Sequence, residues 1–532
     1  MLFSFLCIIS SPFLLTTPQE TTSPPLEEIV QEMTNFSFDN PFLPDPVMPY
    51  SPCEFTKISE KQIEISKAHT ENPHWAKGNL EEAHRYYDLH EETQLDRNLC
   101  CIATDLTGAV IHGGISQSKL ADRLKQFDIR KLLNSGPYEN ALLSIDAQNL
   151  IYEGLHDMPH VFDIHLHNMG YDEGNFLNPK ISVLKMTSCK NYFTFNAIRY
   201  AAGMSTVIGS THEARKRLHI YCAHFPKLCG IVLPIHKAIQ KEGWIDWNAT
   251  GLYLKNYAGL LTAASFHNPH NDSELLSAIS VHPFDAQWKE KLLAAHAKGI
   301  FLIKWMPPQS IPPDSDLIDE YYKMVKQLNM TLIAHSGPEH AMPTDESNKN
   351  WYDWGNPLRF RRPLQIGVNV ILAHCGHKDP IADLDNPEQG MKFGYELFIR
   401  LAREAHEKNK TGEWPGKLYG DLAAVTTHYG PDFVKEILKV AHEEGIRLIY
   451  GSDYPFTNLI QPNKDGYELC ATAGLLDAAK VQPLKEIRAW NPLLANYIFT
   501  RNLELSTPEG EKIRFLDSTF TGQFKGAELR LR

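Results

Sequence analysis

From about Pro159 onward, short runs of apolar and β-branched residues alternate with longer stretches whose apolar positions recur at helical spacing. Eight runs read as strands: Val161–His167 (VFDIHLH), Gly230–Ile235 (GIVLPI), Ala278–Pro283 (AISVHP), Gly299–Trp305 (GIFLIKW), Met330–Ser336 (MTLIAHS), Val368–His374 (VNVILAH), Lys417–Leu422 (KLYGDL) and Ile446–Asp453 (IRLIYGSD). Between them Asp316–Leu328, Tyr395–Lys408 and Asp432–Glu444 read as amphipathic helices, and Gly299 and Gly445 stand where a helix would stop just before a strand. Eight strands alternating with helices predict an α/β fold, a (β/α)8 TIM barrel over residues 159–505, followed by a C-terminal tail at 506–532.

The first part of the chain is patterned differently. Residues 55–158 carry charged segments of helical period, such as Asn79–Arg97 and Ser116–Asn134, and predict a mostly helical extension. Residues 1–54 form a hydrophobic, then Pro-rich arm or linker, too poor in burial-capable residues to order on its own. Met1–Leu15 has the length of a signal peptide and is too short to span a bilayer; no Lys or Arg precedes it and Pro12 interrupts it. Export therefore stays open beside a cytoplasmic location, and no stable membrane insertion is expected. There is no internal repeat and no heptad run.

Composition narrows the function. The chain has 532 residues, 43% hydrophobic and 22% charged, enough for a large core. A formal net charge of −12 provides no general field for a phosphate backbone, so nucleic acid is not an expected partner. Nine cysteines, an odd number with Cys100 and Cys101 adjacent and no C-x-x-C pair, fit a reducing compartment and argue against a disulfide framework or zinc knuckle. The 24 histidines raise the prospect of metal or proton chemistry, which only their positions can decide.

Those positions fall at strand ends, where a barrel of this kind exposes its chemistry. His165 and His167 stand at i and i+2, so a strand projects both imidazoles to one face. His335 (LIAHSG) and His374 (ILAHCG) leave apolar runs of equal length in consecutive units; either alone would read as a core histidine bonded to a backbone carbonyl. Asp453 (GSDYP) could ligate a metal through one oxygen and accept a proton with the other, or could cap a turn before Pro455. Together His165, His167, His335 and Asp453 suit Zn²⁺ or another divalent first-row ion with a position left for water. Lys304 ends the fourth run, His282 ends the third as a candidate pocket-lining substrate contact, and Asp421 ends the seventh; Asp421 is either a turn carboxylate or the partner that orients a ligand histidine. Arg359, Arg361 and Arg362 (LRFRR) either form helix-face salt bridges or bring one guanidinium, Arg361, to a substrate carboxylate. His267 and His270 lie in an Asn/Pro-rich stretch read as a loop and are assigned no metal, Asp285 reads as a cap, and no G-x-S-x-G elbow occurs.

Taken together, D-I-H-L-H, the two strand-end histidines and G-S-D-Y-P resemble the metal signature of the amidohydrolase superfamily. The resemblance extends to its amidohydrolase-related branch, which includes aminocarboxymuconate-semialdehyde-decarboxylase-like proteins, and covers Asp163–Phe499 with K-W-M-P, N-P-L-R-F-R-R and N-P-L-L-A-N-Y-I-F. It implies that His165, His167, His335 and Asp453 ligate the metal, that His374 holds a second metal or polarises substrate, and that Lys304 stands where some members bridge two metals. One ion per chain is expected, with Lys304 a substrate or water contact, because an unmodified ammonium is no ligand. The implied activity is hydrolysis of a small amide, lactone or ester by metal-activated water. In that scheme Asp453 shuttles the proton and His374 stabilises the oxyanion. The alternatives are a nonoxidative decarboxylase or hydratase of the same branch, and a noncatalytic metal-binding interaction module whose extension docks a partner. Assembly as a homo-oligomer is left open.

Overall fold

The computed structural model describes residues 110–111, 117–139, 141–167, 210–234, 266–268, 273–283, 287–297, 299–307, 312–338, 351–460, 466–508, 510–524 and 527–528. The arm, the segment Asn79–Arg97, His270 and Asp285 lie outside them. Strands β1 (Val110–Ile111), β2 (Val161–Leu166), β3 (Leu228–Val232), β4 (Phe266–Asn268), β5 (Ser273–Ser277), β6 (Leu302–Trp305), β7 (Thr331–Ala334), β8 (Asn369–Leu372), β9 (Pro380–Ala382), β10 (Met391–Phe393), β11 (Leu418–Asp421), β12 (Leu448–Ile449) and β13 (Leu459–Ile460) follow in chain order.

Parallel pairing joins β2 to β3, β3 to β5, β6 to β7, β7 to β8, β8 to β11 and β11 to β12. Two further links connect these sheets. Just beyond β5, Ile279 bridges Ile303 in parallel, and the Lys304 N–H donates to the Ile279 carbonyl at 2.7 Å. At the other side Leu166 bridges Tyr454 in parallel, with His167 N–H on the Tyr454 carbonyl at 2.8 Å and Ile164 N–H on the Tyr450 carbonyl at 3.2 Å. Each of the eight parallel segments thus has a bonded neighbour on both sides.

Period-two alternation sorts the strand residues into two layers. Phe162, Ile164, Cys229, Ile231, Leu233, Ala278, Leu302, Ile333, Ile371, Tyr419 and Ile449, drawn from all eight segments, form one buried cluster. Their neighbours in sequence, among them Val232, Ile303, Leu332, Val370 and Leu448, belong to a second, larger cluster shared with the helices.

The predicted helices appear with small shifts, as Asp319–Gln327 after a 3₁₀ turn at Asp316–Ile318, Gly394–Thr411 and Pro431–Glu444. Gly299 and Gly445 have φ of +77° and +66°, the left-handed geometry of a helix stop. Two readings need correction. The third strand starts at Ser273, not Ala278, and the Asn/Pro-rich stretch before it contains β4, antiparallel to β5, so His267 lies on a strand. The single helix predicted at Ser116–Asn134 is two, α1 (Gln117–Lys125) and α2 (Ile129–Ser135), because Asp128 leaves helical geometry to accept hydrogen bonds from Arg130 N and Lys131 N.

With α3 (Ile145–Leu155), these helices belong to the same apolar cluster as the C-terminal pair α4 (Val481–Trp490) and α5 (Pro492–Arg501). The Trp490 indole donates to the Leu124 carbonyl at 3.3 Å and the Tyr497 hydroxyl to the Gly154 carbonyl at 2.7 Å, so one core runs across the 158/159 boundary. No helix among the described residues is long and apolar enough to cross a membrane.

Candidate metal centre

A bulge aims the first two histidines. Phe162 and Ile164 belong to the inner cluster, so unbroken alternation would turn His165 to the outer face. The register of β2 against β3 shifts between Asp163 and Leu166, and such an extra residue reverses the facing of the residues after it. His165 and His167 are buried with their Nε2 atoms 3.1 Å apart.

Their outer nitrogens are committed elsewhere. His165 Nδ1 donates to Asp421 Oδ2 at 2.5 Å, and His167 Nδ1 donates to the Leu233 carbonyl at 3.1 Å. Burial, and the nearby Lys304 ammonium in both cases, hold both imidazoles well below the usual histidine range, so each is neutral and each Nε2 carries a lone pair. Asp453 Oδ1 completes the group, 3.5 Å from His165 Nε2 and 3.7 Å from His167 Nε2. Three acceptors therefore converge with no hydrogen between the two imidazoles. Tetrahedral N and O ligands at metal–ligand distances of about 2.0–2.1 Å stand about 3.3 Å apart, so these donors fit a first-row divalent cation. Lys304 Nζ lies 3.2 Å from His165 Nε2.

Two buried carboxylates that do not belong to this group hold it. Asp421, read from sequence as a turn group or an orienter, does the second by fixing the His165 tautomer. Asp163, which the sequence reading passed over, accepts from His165 N at 3.1 Å and Ser452 N at 2.9 Å. Its signal was a lone carboxylate inside an otherwise apolar run. Burial pushes both carboxyls up to about 7.

His374 reaches the site by another route. After β8 the backbone turns left-handed at His374, Cys375, Gly376 and His377, with φ of +60°, +47°, +88° and +72°. Non-glycine residues in that region cost of order 1 kcal/mol or more each, so the turn needs support. It has it: Ser336 Oγ donates to the Ala373 carbonyl at 2.5 Å, Tyr395 N–H to the His377 carbonyl at 2.8 Å, and Gly376 abuts Gly394 so closely that a Cβ on either would collide with the other's carbonyl oxygen. The His374 ring lies 5.3 Å from that of His165 and 5.2 Å from that of His335, with Nδ1 donating to the Ala423 carbonyl at 3.0 Å. Burial keeps it neutral as well, so Nε2 offers a lone pair. A lone pair accepts a proton; it does not donate to an oxyanion.

The other expected residues are placed differently. Among the described residues, the group whose ligand atoms all lie within 4.8 Å of one another is His165, His167 and Asp453. His335 is buried beside it but outside that group, its Nε2 3.3 Å from the Pro338 carbonyl, which competes for the ring hydrogen. His282 is buried at the end of the third strand segment, also outside the group. Of the two readings of Arg361, salt bridge or substrate contact, the structure shows the salt bridge. Its guanidinium is held by Asp385, at 2.5 Å, and by Glu404, at 2.7 Å, while Arg359 pairs with Asp314 and Asp353 and Arg362 with Asp319. The run is a set of salt bridges because each planar fork meets carboxylates from neighbouring segments.

No family model and no curated protein matches the sequence. Similar solved structures include these two. One is a Staphylococcus aureus protein named as an amidohydrolase, 13% identical, with a TM-score of 0.32 over 62% of this chain and 96% of that one. The other is a Pseudomonas putida protein named as a 2-pyrone-4,6-dicarboxylic acid hydrolase, 12% identical, with a TM-score of 0.26 over 64% of this chain and 98% of that one. The first name is that of the superfamily the motifs resemble. Likeness at this level carries no functional weight beside the ligand geometry.

Proposed function

We propose that this chain is a metal-dependent hydrolase of a small carbonyl substrate, an amide, lactone or ester, with its site at the C-terminal rim of a closed (β/α)8 barrel. The two-sided pairing of all eight parallel segments supports the closure. The observation that carries the function is the meeting of two imidazole lone pairs and one carboxylate oxygen, from the first and last strands, with no hydrogen between the imidazoles.

His165, His167 and Asp453 would hold one Zn²⁺ or similar ion, which supplies Lewis acidity toward a carbonyl and a water acidified toward neutral pH. The second Asp453 oxygen accepts the water's proton and returns it to the leaving group. His374, neutral with a lone pair on Nε2 and its ring 5.3 Å from that of His165, is a second proton acceptor or an added ligand, not the oxyanion donor expected from sequence. Lys304 is the group suited to that charge, since its ammonium stands among the ligand atoms.

The test is elemental analysis of the protein purified without chelator, coupled to a screen of esters, lactones, amides and unsaturated carboxylic acids. One ion per chain and turnover of a lactone, ester or amide support the reading. Carbon dioxide release without water consumption would replace it by the decarboxylase.

A further inference from the structure

We propose that Asp163 is a positioning residue for Asp453: its carboxylate fastens the first strand to the turn after the last one, so that the three ligand atoms meet. This rests on the metal reading above. Asp163 Oδ1 takes two backbone hydrogens, from His165 N at 3.1 Å and from Ser452 N at 2.9 Å. One oxygen thus ties the residue carrying the first imidazole to the residue before the ligand carboxylate.

The turn needs such a tie. Asp453 has φ of +59°, a geometry that a side chain bearing Cβ holds only when its surroundings over-determine it. Bonds to β2 and its next residue, and within the turn, support it: Asp453 N to the His165 carbonyl at 2.9 Å, His167 N to the Tyr454 carbonyl at 2.8 Å, and Tyr454 N to Ser452 Oγ at 3.2 Å. Asp163 is the side chain from β2 in this set, and it is buried at 1% exposure, where lost hydrogen-bond acceptors are not replaced by solvent. Asp163 therefore acts on the ion through Asp453, as outer partners of metal ligands do elsewhere.

The experiment measures zinc dissociation constants on the full chain by chelator competition, with melting of the ion-free protein alongside. Asp163→Ala is expected to bind about 10–100-fold more weakly than wild type. Asp163→Asn, which keeps the Oδ1 acceptor, should stay within about threefold of wild type. A folded Asp163→Ala that binds as tightly as wild type overturns the proposal, as does Asp163→Asn falling as far as Asp163→Ala. Should Asp163→Ala fail to fold, Asp163→Ser, whose shorter side chain no longer spans His165 N and Ser452 N, is read in its place: a loss of about tenfold or more supports the tie, unchanged affinity overturns it. A wild-type chain that binds no zinc brings down the metal reading itself, which the other outcomes leave standing.

Discussion

A neutral imidazole has one hydrogen and one lone pair, and whichever acceptor fixes the hydrogen decides where the lone pair points. At His165 that acceptor is Asp421. Asp421→Asn leaves a weaker acceptor and should reduce ion affinity by about 10–100-fold, read by chelator competition. His165→Ala or Asp453→Ala removes a ligand outright. Each variant should keep its far-UV circular dichroism and lose both the ion and turnover; a wild-type rate in either would remove the mechanism. Much of this was legible by counting in twos. Lys304, His335 and Asp421 each stand two residues beyond an inner aliphatic or aromatic residue, Leu302, Ile333 and Tyr419, and Asp453 stands four beyond Ile449. His165 and His374 break that count. A bulge re-aims the first and a left-handed turn the second, and neither bulge nor handedness shows in the order of apolar residues.

Elements were easier to read than their joints. Strand positions followed from apolar runs, yet β4 was hidden because the turn-forming residues beside it dominate the composition there. The turn that carries His374 is supported by Gly394 at the start of the Gly394–Thr411 helix. Gly394→Ala should therefore destabilise the fold by about 1–3 kcal/mol through overpacking and lower turnover as well, measured by denaturant melts and assay. Burial, with Arg130 and Lys125 nearby, lowers His224 from 6.5 to about 4. The unfolded chain binds the proton more readily, so this contribution is complete above pH 6.5 and is lost as pH falls toward 4. It amounts to at most about 3 kcal/mol. His224→Phe should flatten the stability profile across that window.

For the molecule as a whole, an ion held only by the folded chain stabilises it by mass action. At a hundredfold excess of free zinc over Kd the gain is about 2.7 kcal/mol, seen as a rise in Tm that chelator reverses. The N-terminal helices matter at the same scale, because Leu124, Ile151 and Leu155 are buried against α4 and α5. A chain shortened to begin at Pro159 would bare that apolar surface, and light scattering should show it associating. The bonds from β2 to residues 450–454 also join the beginning of the strand sequence to its end. During synthesis, His165 and His167 leave the ribosome long before Asp453 does. On the proposed reading, cation capture would come late, after the final strand has found the first, and a nascent chain stalled before that point would hold two imidazoles with no carboxylate to complete the grip.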